Sequence, residues 1–587
     1  MESKSFWPLA TDPATSNSMF FRTNPKLLRP VHSLLKEPFG FSAYDSISGP
    51  LHKHLSHRAD YDDLVALGQL YDQARLVAQG VLVRVRPLLE NSLSVVIYPG
   101  TDLTRICRTK FDGEMPKLPG MTGAEYLSHV SAQCQLERLY DLLGLQCTGR
   151  SSALQNAEIA TVVQLLMLNE ALALCLAGIA KGVRHANRFD ISVADNAGRE
   201  MLRATWFART LDQSSRGRTI AMIKDLSDAG KTTAKDLEPL IERILEQDLA
   251  IPWHRLTDQG RALQSIQHLY DAVALVAVVA VADFRCASIK MTRPDLMRHG
   301  LEFGAVSAVL RRQSHALVTD QFITRKDDTL NVRIEGSSKG LRSYYRTLEK
   351  EFDECDVLRQ QIGGFFFEKT HIRQRIEHGE DYKSRYQILE GFDRYKVLDG
   401  APNESDVEFI IKDIEQRHYY FVQIKHSLLG ERAFFNSIIE AAQNDIGKGI
   451  LQLREAKRLL EAGLLHKTLA ARGIDDAAPD NSSFVLLHNI AQLDFQSTDD
   501  GISLYDWATF RNLLKDAECL FGTSNGEQKF LKLQSPLVVA HPMAVIHRLL
   551  DEHPAYRAMN SAVWSTERAT TEYAIEGKTI RVIGLGI

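Results

Sequence analysis

Alternating apolar and polar residues between positions 403 and 425 constrain this chain more than any other feature. Two segments rich in β-branched and aromatic residues, 403–411 and 419–425, flank a polar stretch at 412–418. This pattern predicts two strands joined by a turn, which form a hairpin. Successive side chains of a strand point to opposite faces, so Gln423 and Lys425 share one face of the second strand.

Acidic residues at the start of the first strand complete the pattern. Asp406 and Glu408 are two positions apart, so they also share a face. Strands packed side by side bring a carboxylate, an amide oxygen and an ammonium group to one spot. Because hard divalent cations prefer oxygen ligands, the hairpin predicts a metal site with a positive charge beside it.

The acidic residue Asp406 on one strand and Gln423-Ile424-Lys425 on the next resemble the motif of the PD-(D/E)xK nuclease superfamily, in its Gln-x-Lys variant. The run Phe421-Val422-Gln423-Ile424-Lys425-His426 is similar to Mrr-type restriction endonucleases and related prokaryotic defence nucleases. The resemblance covers roughly residues 350 to 520, under a third of the chain. It implies a C-terminal restriction-endonuclease-like α/β sheet domain that hydrolyses phosphodiester bonds of DNA, in defence against foreign DNA.

The resemblance also implies roles for individual residues. Asp406, Gln423 and Glu408 would be ligands of Mg²⁺ or Mn²⁺, which activates water and stabilises developing charge. Lys425 would orient or help to deprotonate the attacking water and offset phosphate charge. Glu368, in the helix expected before the sheet, is a further catalytic candidate.

Structural explanations stand beside these roles. Asp406 could cap its own turn, and Lys425 could end a half-exposed strand with its stem lying along apolar surface. Glu368 could be a plain surface carboxylate, and Glu404 is an alternative ligand. On the helix that follows the hairpin, polar side chains four positions apart share a face and could assist the site or simply be solvated; these are Lys448 and Gln452.

The rest of the chain predicts a multidomain α/β protein. A length of 587 residues suggests three or four domains of about 150 residues each. We expect a mixed α/β N-terminal region at 1–150, a helical scaffold or regulatory domain at 151–325 and the nuclease domain at 346–587, with a polar boundary at 325–342. The expected elements outside the hairpin are strands at 81–85, 93–98, 484–487, 537–540 and 579–583, and helices at 157–183, 219–247, 265–284, 348–361 and 431–465.

Charge and composition limit the partners. With 70 Lys and Arg against 74 Asp and Glu, the net charge is −4, so a DNA-binding surface has to be local. The seven cysteines include no Cys-x-x-Cys pair, which argues against a zinc ribbon and fits a reducing cytosol. The longest strongly apolar run, Ala272–Ala282, falls short of the ~20 residues that a membrane helix needs.

We therefore expect a cytoplasmic Mg²⁺-dependent endodeoxyribonuclease that binds DNA and no membrane. The helical block would control or assemble it, through a homodimer or a partner protein. The alternative left open by Gln423 and by the acidic net charge is an inactive nuclease-fold protein that serves as a DNA- or partner-binding component of a larger assembly.

Overall fold

A computed structural model describes residues 25–90, 108–110, 135–145, 157–332, 337–393, 405–426, 445–498, 500–522, 528–557 and 569–585. Across these residues the fold is mixed α/β, as predicted, with strands arranged in four sheets. Large apolar clusters fill the spaces between helices and sheets.

The helices follow one another through the whole described chain. They are α1 (Pro25–Lys36), α2 (Ala43–Ser48), α3 (His52–Leu55), α4 (Tyr61–Glu90), α5 (Ala157–Leu176), α6 (Asn196–Asp228), α7 (Glu238–Leu249), α8 (Asp258–Arg261), α9 (Gln264–Phe284), α10 (Arg293–Arg298), α11 (Phe303–Gln313), α12 (Ser337–Glu351), α13 (Cys355–Gln361), α14 (Ile372–His378), α15 (Asp445–Glu461), α16 (His466–Ala470), α17 (Trp507–Leu513), α18 (Pro542–Glu552) and α19 (Pro554–Arg557). A further helical stretch covers 135–143, and a π-helical segment, Gly364–His371, leads directly into α14.

The strands are shorter and concentrate in the second half of the chain. They are β1 (Arg108–Lys110), β2 (Ala180–Arg184), β3 (Arg188–Val193), β4 (Ile289–Lys290), β5 (Ile323–Lys326), β6 (Thr329–Val332), β7 (Tyr386–Phe392), β8 (Val407–Asp413), β9 (His418–Ile424), β10 (Ser482–His488), β11 (Gln496–Ser497), β12 (Ile502–Asp506), β13 (Cys519–Gly522), β14 (Gln528–Leu531), β15 (Thr570–Ile575) and β16 (Lys578–Ile583).

A six-stranded mixed sheet with the order β11-β12-β10-β9-β8-β7 carries the predicted hairpin. Strands β7, β8 and β9 form an antiparallel meander. Helix α15 follows β9 in the chain, and the next strand, β10, is parallel to β9. Strand β12 continues the parallel part, while β11 is antiparallel at the edge. The hairpin therefore lies in the middle of a sheet.

Helices cover both faces of this sheet, which explains why its central strands are almost wholly apolar. On one face, Tyr419 and Phe421 pack in the same cluster as Ile450 and Leu453 of α15. On the opposite face, Val422 lies in a second cluster with apolar residues of α17 and α18. The polar residues of the hairpin are therefore exceptions in a buried layer.

A five-stranded sheet with the order β1-β15-β16-β3-β2 joins distant parts of the chain. Strands β15 and β16 form a hairpin whose turn residues, Glu576 and Gly577, have φ of 47° and 72°. Strand β16 then pairs in parallel with β3, and β15 pairs with β1. The predicted terminal strand at 579–583 thus exists, but it lies in a sheet with residues before 325 and outside the sheet that carries the hairpin.

Several expected elements are wrong. The expected strand Val81–Val85 lies inside α4, because buried residues recur there at helical spacing, and this periodicity overrides the β-propensity of valine. The expected helix 157–183 ends at Leu176, and Gly178, with φ of 77°, turns the chain into β2. The segment 537–540 is not a strand; the Val539 N–H instead donates to the Tyr420 hydroxyl at 3.0 Å. The expected strand 93–98 lies outside the described residues.

The expected boundary at 325–342 is not a simple linker. Helix α12 begins within it at Ser337, after the hairpin of β5 and β6. The Lys339 ammonium lies 2.7 Å from the Asp141 carboxylate and 3.5 Å from that of Asp320. These ion pairs connect the start of α12 with earlier parts of the chain.

In the part of the chain that the structure describes, two helices are long and apolar enough to cross a membrane by length and composition alone, Glu158–Leu176 and Gln264–Phe284. Of their most apolar windows, 83% and 78% are buried inside the protein. Every residue from Ala272 to Ala282 is buried in α9, as predicted for a core helix.

Candidate functional site

The register of the β8–β9 hairpin decides which polar side chains are neighbours. Phe409 lies opposite Val422, and Ile410 opposite Phe421. When this antiparallel register is continued beyond the pair of Phe409 and Val422, Glu408 lies opposite Gln423. Two residues further, Asp406 lies opposite Lys425. Opposed residues share a face, so all four side chains belong to the face that α15 covers.

Gln452 of α15 joins two of these residues directly. Its amide oxygen accepts a hydrogen bond of 2.9 Å from Gln423 Nε2, and its Nε2 donates to Asp406 Oδ2 at 3.1 Å. Gln423 and Gln452 are 0% and 4% exposed. Asp406 and Gln423 therefore converge on one side chain of the following helix, which is one of the two helix residues that the sequence suggested.

Lys425 is not at an exposed strand end, contrary to the structural alternative considered for it. Its side chain is 8% exposed, and its backbone N–H donates to the Leu487 carbonyl at 2.9 Å, which extends the pairing of β9 with β10. The stem lies under Gly449 of α15, where a Cβ would be 3.2 Å from both Cγ and Cε of Lys425. The ammonium group is thus held in a layer that excludes most water.

Glu408 has a deeply buried carboxylate, with 6% of its side chain exposed. Burial, and then the nearby negative charge of Asp406, raise the pKa of this carboxyl group. The cations Lys369 and Lys425 oppose that rise, and Lys369 Nζ lies 3.8 Å from the Glu408 carboxylate. Sequence reasoning missed Lys369, because only the packing of the π-helical segment against β8 brings it near.

Glu368 borders the site. It lies in the π-helical segment, and its carboxylate accepts a hydrogen bond of 3.3 Å from the backbone N–H of His426. His426 directly follows Lys425, so this contact connects the segment with the end of β9. Lys448 is exposed on α15, and Glu404 lies outside the described residues.

Two glycines permit the close packing around the site, and neither was among the predicted residues. A Cβ on Gly391 of β7 would be 1.8 Å from the Val407 carbonyl oxygen, so only glycine fits beside this part of β8. A Cβ on Gly449 would be 2.7 Å from Leu486 Cδ1. A glycine inside a strand or a helix often indicates that another part of the chain comes close to its backbone. This sequence signal could have identified both residues.

The donor atoms match the preference of Mg²⁺ or Mn²⁺ for oxygen ligands. Asp406 and Glu408 supply carboxylates, and Gln423 supplies an amide oxygen that accepts from the Ile424 N–H at 2.8 Å. The raised pKa of Glu408 reflects negative charge crowded into a shielded place, which a cation would relieve. Among the described residues, no group of three or more His, Cys, Asp or Glu side chains is placed to hold a metal ion. A cation at this site would therefore need the Gln423 amide oxygen as a ligand.

Comparison of the chain with protein-family models, with curated proteins and with solved structures gives no match in any of the three. What the site can do therefore has to be judged from its own residues.

Proposed function

We propose that this chain is a Mg²⁺- or Mn²⁺-dependent DNA endonuclease. The observation that carries the proposal is the Gln452 side chain, which hydrogen-bonds Asp406 at 3.1 Å and Gln423 at 2.9 Å. With Lys425 opposite Asp406, the arrangement gathers the residues of an acidic, Gln-x-Lys nuclease motif at one end of one hairpin.

The topology around the hairpin supports the same proposal. Helix α14 precedes the antiparallel meander β7–β9, and α15 then leads to β10, which is parallel to β9. A helix, three antiparallel strands, a helix and a parallel strand form the arrangement expected of a restriction-endonuclease-like domain. The sheet therefore suits the motif that it carries.

Each residue has a defined task in the proposed reaction. Asp406, Glu408 and Gln423 would hold the cation, which supplies an activated water and stabilises charge on the phosphate. Lys425 contributes a fixed positive charge in a partly dehydrated layer, where electrostatic attraction for a phosphate is stronger than in bulk water. Its ammonium group orients the attacking water. Glu368 fixes the end of β9 through the His426 N–H.

A second candidate function is a catalytically inactive nuclease fold that binds DNA or a partner protein in a larger assembly. The hydrogen bonds of Gln452 favour it, because they already satisfy Asp406 and the Gln423 amide in the absence of a cation. A neutral amide at 423 also attracts a cation less than a carboxylate would. The two candidates differ in one observable, the cutting of DNA.

A plasmid-nicking assay tests the proposal. We expect the purified chain to convert supercoiled plasmid to nicked or linear DNA with Mg²⁺ or Mn²⁺, and excess chelator to stop the reaction. Asp406→Asn should lower the rate at least 100-fold, whereas Asp258→Asn, at a carboxylate that is 98% exposed, should not change it. Binding of the plasmid without cutting under every metal condition would favour the inactive alternative.

By the same resemblance we assign the protein to the cytoplasm and to defence against foreign DNA. We also propose that the chain works as a homodimer, or with a partner protein that contacts the helical residues before 325, since one active site cuts one strand. Sedimentation at micromolar concentration measures this directly, and a strict monomer that makes double-strand breaks would contradict it.

A further inference from the structure

Three arginine side chains from separate parts of the chain interact electrostatically with one carboxylate beside the π-helical segment. They are Arg255, Arg375 of α14 and Arg511 of α17, and the carboxylate is Glu246 of α7. Arg511 Nη1 lies 3.0 Å from Glu246 Oε1. We call these three arginines the arginine cluster.

Positive charge in the cluster exceeds its local compensation. Burial and the neighbouring guanidinium groups of Arg375 and Arg511 lower the pKa of Arg255, while Glu246 opposes this effect. Arg375 Nε is shielded from water and has no hydrogen-bond partner among the described residues. His371 lies against the same groups, and burial together with Arg255 lowers its pKa to about 4, so it is neutral at neutral pH.

Among the described residues, Asp381 is a further carboxylate near the cluster. Asp381 interacts with Arg375, but the Lys515 ammonium pairs with the Asp381 carboxylate. Arg255 is exposed, and the side chain of Arg511 is 28% exposed over the ring of Trp507. The exposed Arg255 and the partly exposed Arg511, with the half-buried Arg375 near them, thus remain open to an anion from solution, in a chain whose net charge is −4.

Two contacts connect the cluster with the candidate site. His371 is in the same π-helical segment as Glu368, which accepts from the His426 N–H. The His426 imidazole also hydrogen-bonds the backbone of Leu249, three residues after Glu246. Because His426 follows Lys425, both contacts lie at the end of β9 that carries the site, although α14 and α17 pack on the sheet face opposite to α15.

We propose that the arginine cluster binds the phosphate backbone of duplex DNA. This inference rests on the proposed nuclease function, and it identifies the local basic surface that an acidic chain needs. Guanidinium groups suit this task because their fixed donors match phosphate oxygens. Contacts to the backbone position DNA without reading its sequence, so the cluster should act on any duplex.

Equilibrium binding in excess chelator tests the inference without cutting. The double variant Arg255→Ala/Arg375→Ala is compared with wild type by fluorescence anisotropy of a short labelled DNA duplex over a salt series. Loss of two phosphate contacts should weaken binding about tenfold near 0.1 M salt and reduce the slope of log affinity against log salt by about 2. The double variant Arg255→Lys/Arg375→Lys should keep most of the slope.

A matched control removes the same charge elsewhere. Arg86→Ala/Arg298→Ala changes arginines that are 52% and 71% exposed on α4 and α10, and it should leave affinity and slope unchanged. Circular dichroism checks each fold, and the single variant Arg255→Gln, at an exposed position, should still lose about one unit of slope if the double variant is unstable. Wild-type affinity and slope in a folded cluster variant, or an equal loss in the control, would overturn the inference.

The two proposals can fail separately. If the wild-type chain binds duplex DNA through the cluster but never cuts it, the proposed nuclease function is refuted and the cluster assignment stands. If the wild-type chain cuts DNA but the cluster variants bind DNA normally, only the cluster assignment is refuted. Binding of an RNA duplex but not of a DNA duplex would also overturn it.

Discussion

Gln423 Nε2 donates a hydrogen bond of 2.9 Å to Gln452 Oε1, which fastens the C-terminal end of β9 to α15. Both side chains are buried, so neither can exchange this partner for water. Because Gln452 also donates to Asp406, the orientation of α15 and the position of the candidate metal ligands depend on each other.

Gln452→Leu removes both hydrogen bonds while keeping much of the side-chain volume. The buried Gln423 amide then has an unpaired donor, and we expect the free energy of unfolding to fall by about 1–3 kcal/mol. DNA cleavage should also slow, because Asp406 loses its support. Urea unfolding and plasmid nicking measure the two effects, with the exposed Gln387→Leu on β7 as a control that should stay within about 0.5 kcal/mol.

Lys425→Met separates charge from packing, since methionine keeps an unbranched apolar stem under Gly449. We expect cleavage to fall at least 100-fold while the protein stays folded, because the ammonium group would act on the phosphate and the water. Lys412→Met, at the other end of the same hairpin, is the control and should cleave normally. Unchanged cleavage by Lys425→Met would remove this residue from the mechanism.

Gly449→Ala tests the close contact between α15 and the Lys425 stem. The added methyl would lie 2.7 Å from Leu486 Cδ1 and 3.2 Å from two carbons of Lys425. Overpacking of this kind costs about 1–3 kcal/mol, against roughly 1 kcal/mol gained from helix propensity, and we expect a net loss of stability together with slower cleavage. Gly80→Ala on α4 is the control, because a Cβ there meets nothing within 4 Å. Thermal unfolding of this variant should show only the stability gained from helix propensity.

The pH dependence of stability should contain a contribution from Glu408. Burial and Asp406 raise its pKa, so the folded chain binds this proton more tightly than the unfolded chain. The free energy of unfolding therefore falls as the pH rises from the ordinary range of glutamate, near ~4.3, through the raised value. Glu408→Gln should flatten this decline and leave the protein at least as stable as wild type at neutral pH without metal.

Denaturant unfolding between pH 4 and 8, without divalent cations, measures the effect. The exposed Glu390→Gln on β7 is the control and should keep the wild-type profile. A Glu408→Gln profile that parallels wild type would mean that this carboxyl group is not perturbed.

Local pattern predicted the parts of the fold that depend on neighbours in sequence. Alternation and β-branched residues located β8, β9 and β10, and dense apolar residues located α9. The site residues come together because the hairpin register, continued beyond the pair of Phe409 and Val422, sets Asp406 and Glu408 opposite Lys425 and Gln423.

Features that depend on distant packing could not be predicted in this way. Nothing in 570–583 indicates that this hairpin completes a sheet with β1 and β3, hundreds of residues earlier. The burial of Lys425 likewise depends on the approach of α15 at Gly449, and the pairing of Lys369 with Glu408 depends on the π-helical segment. Alternation within one strand shows which face a side chain is on, but not what covers that face.

The central claim is that Asp406, Glu408 and Gln423 hold a divalent cation beside Lys425. Crystals soaked in Mn²⁺ test it most directly, through anomalous diffraction at a wavelength that identifies manganese. We expect one strong peak bonded to an Asp406 oxygen and to oxygen of Glu408 or Gln423, with the Gln452 amide displaced from Asp406, and no such peak in Asp406→Asn. Saturating Mn²⁺ with no peak near Asp406, from protein that still cuts DNA, would contradict the claim.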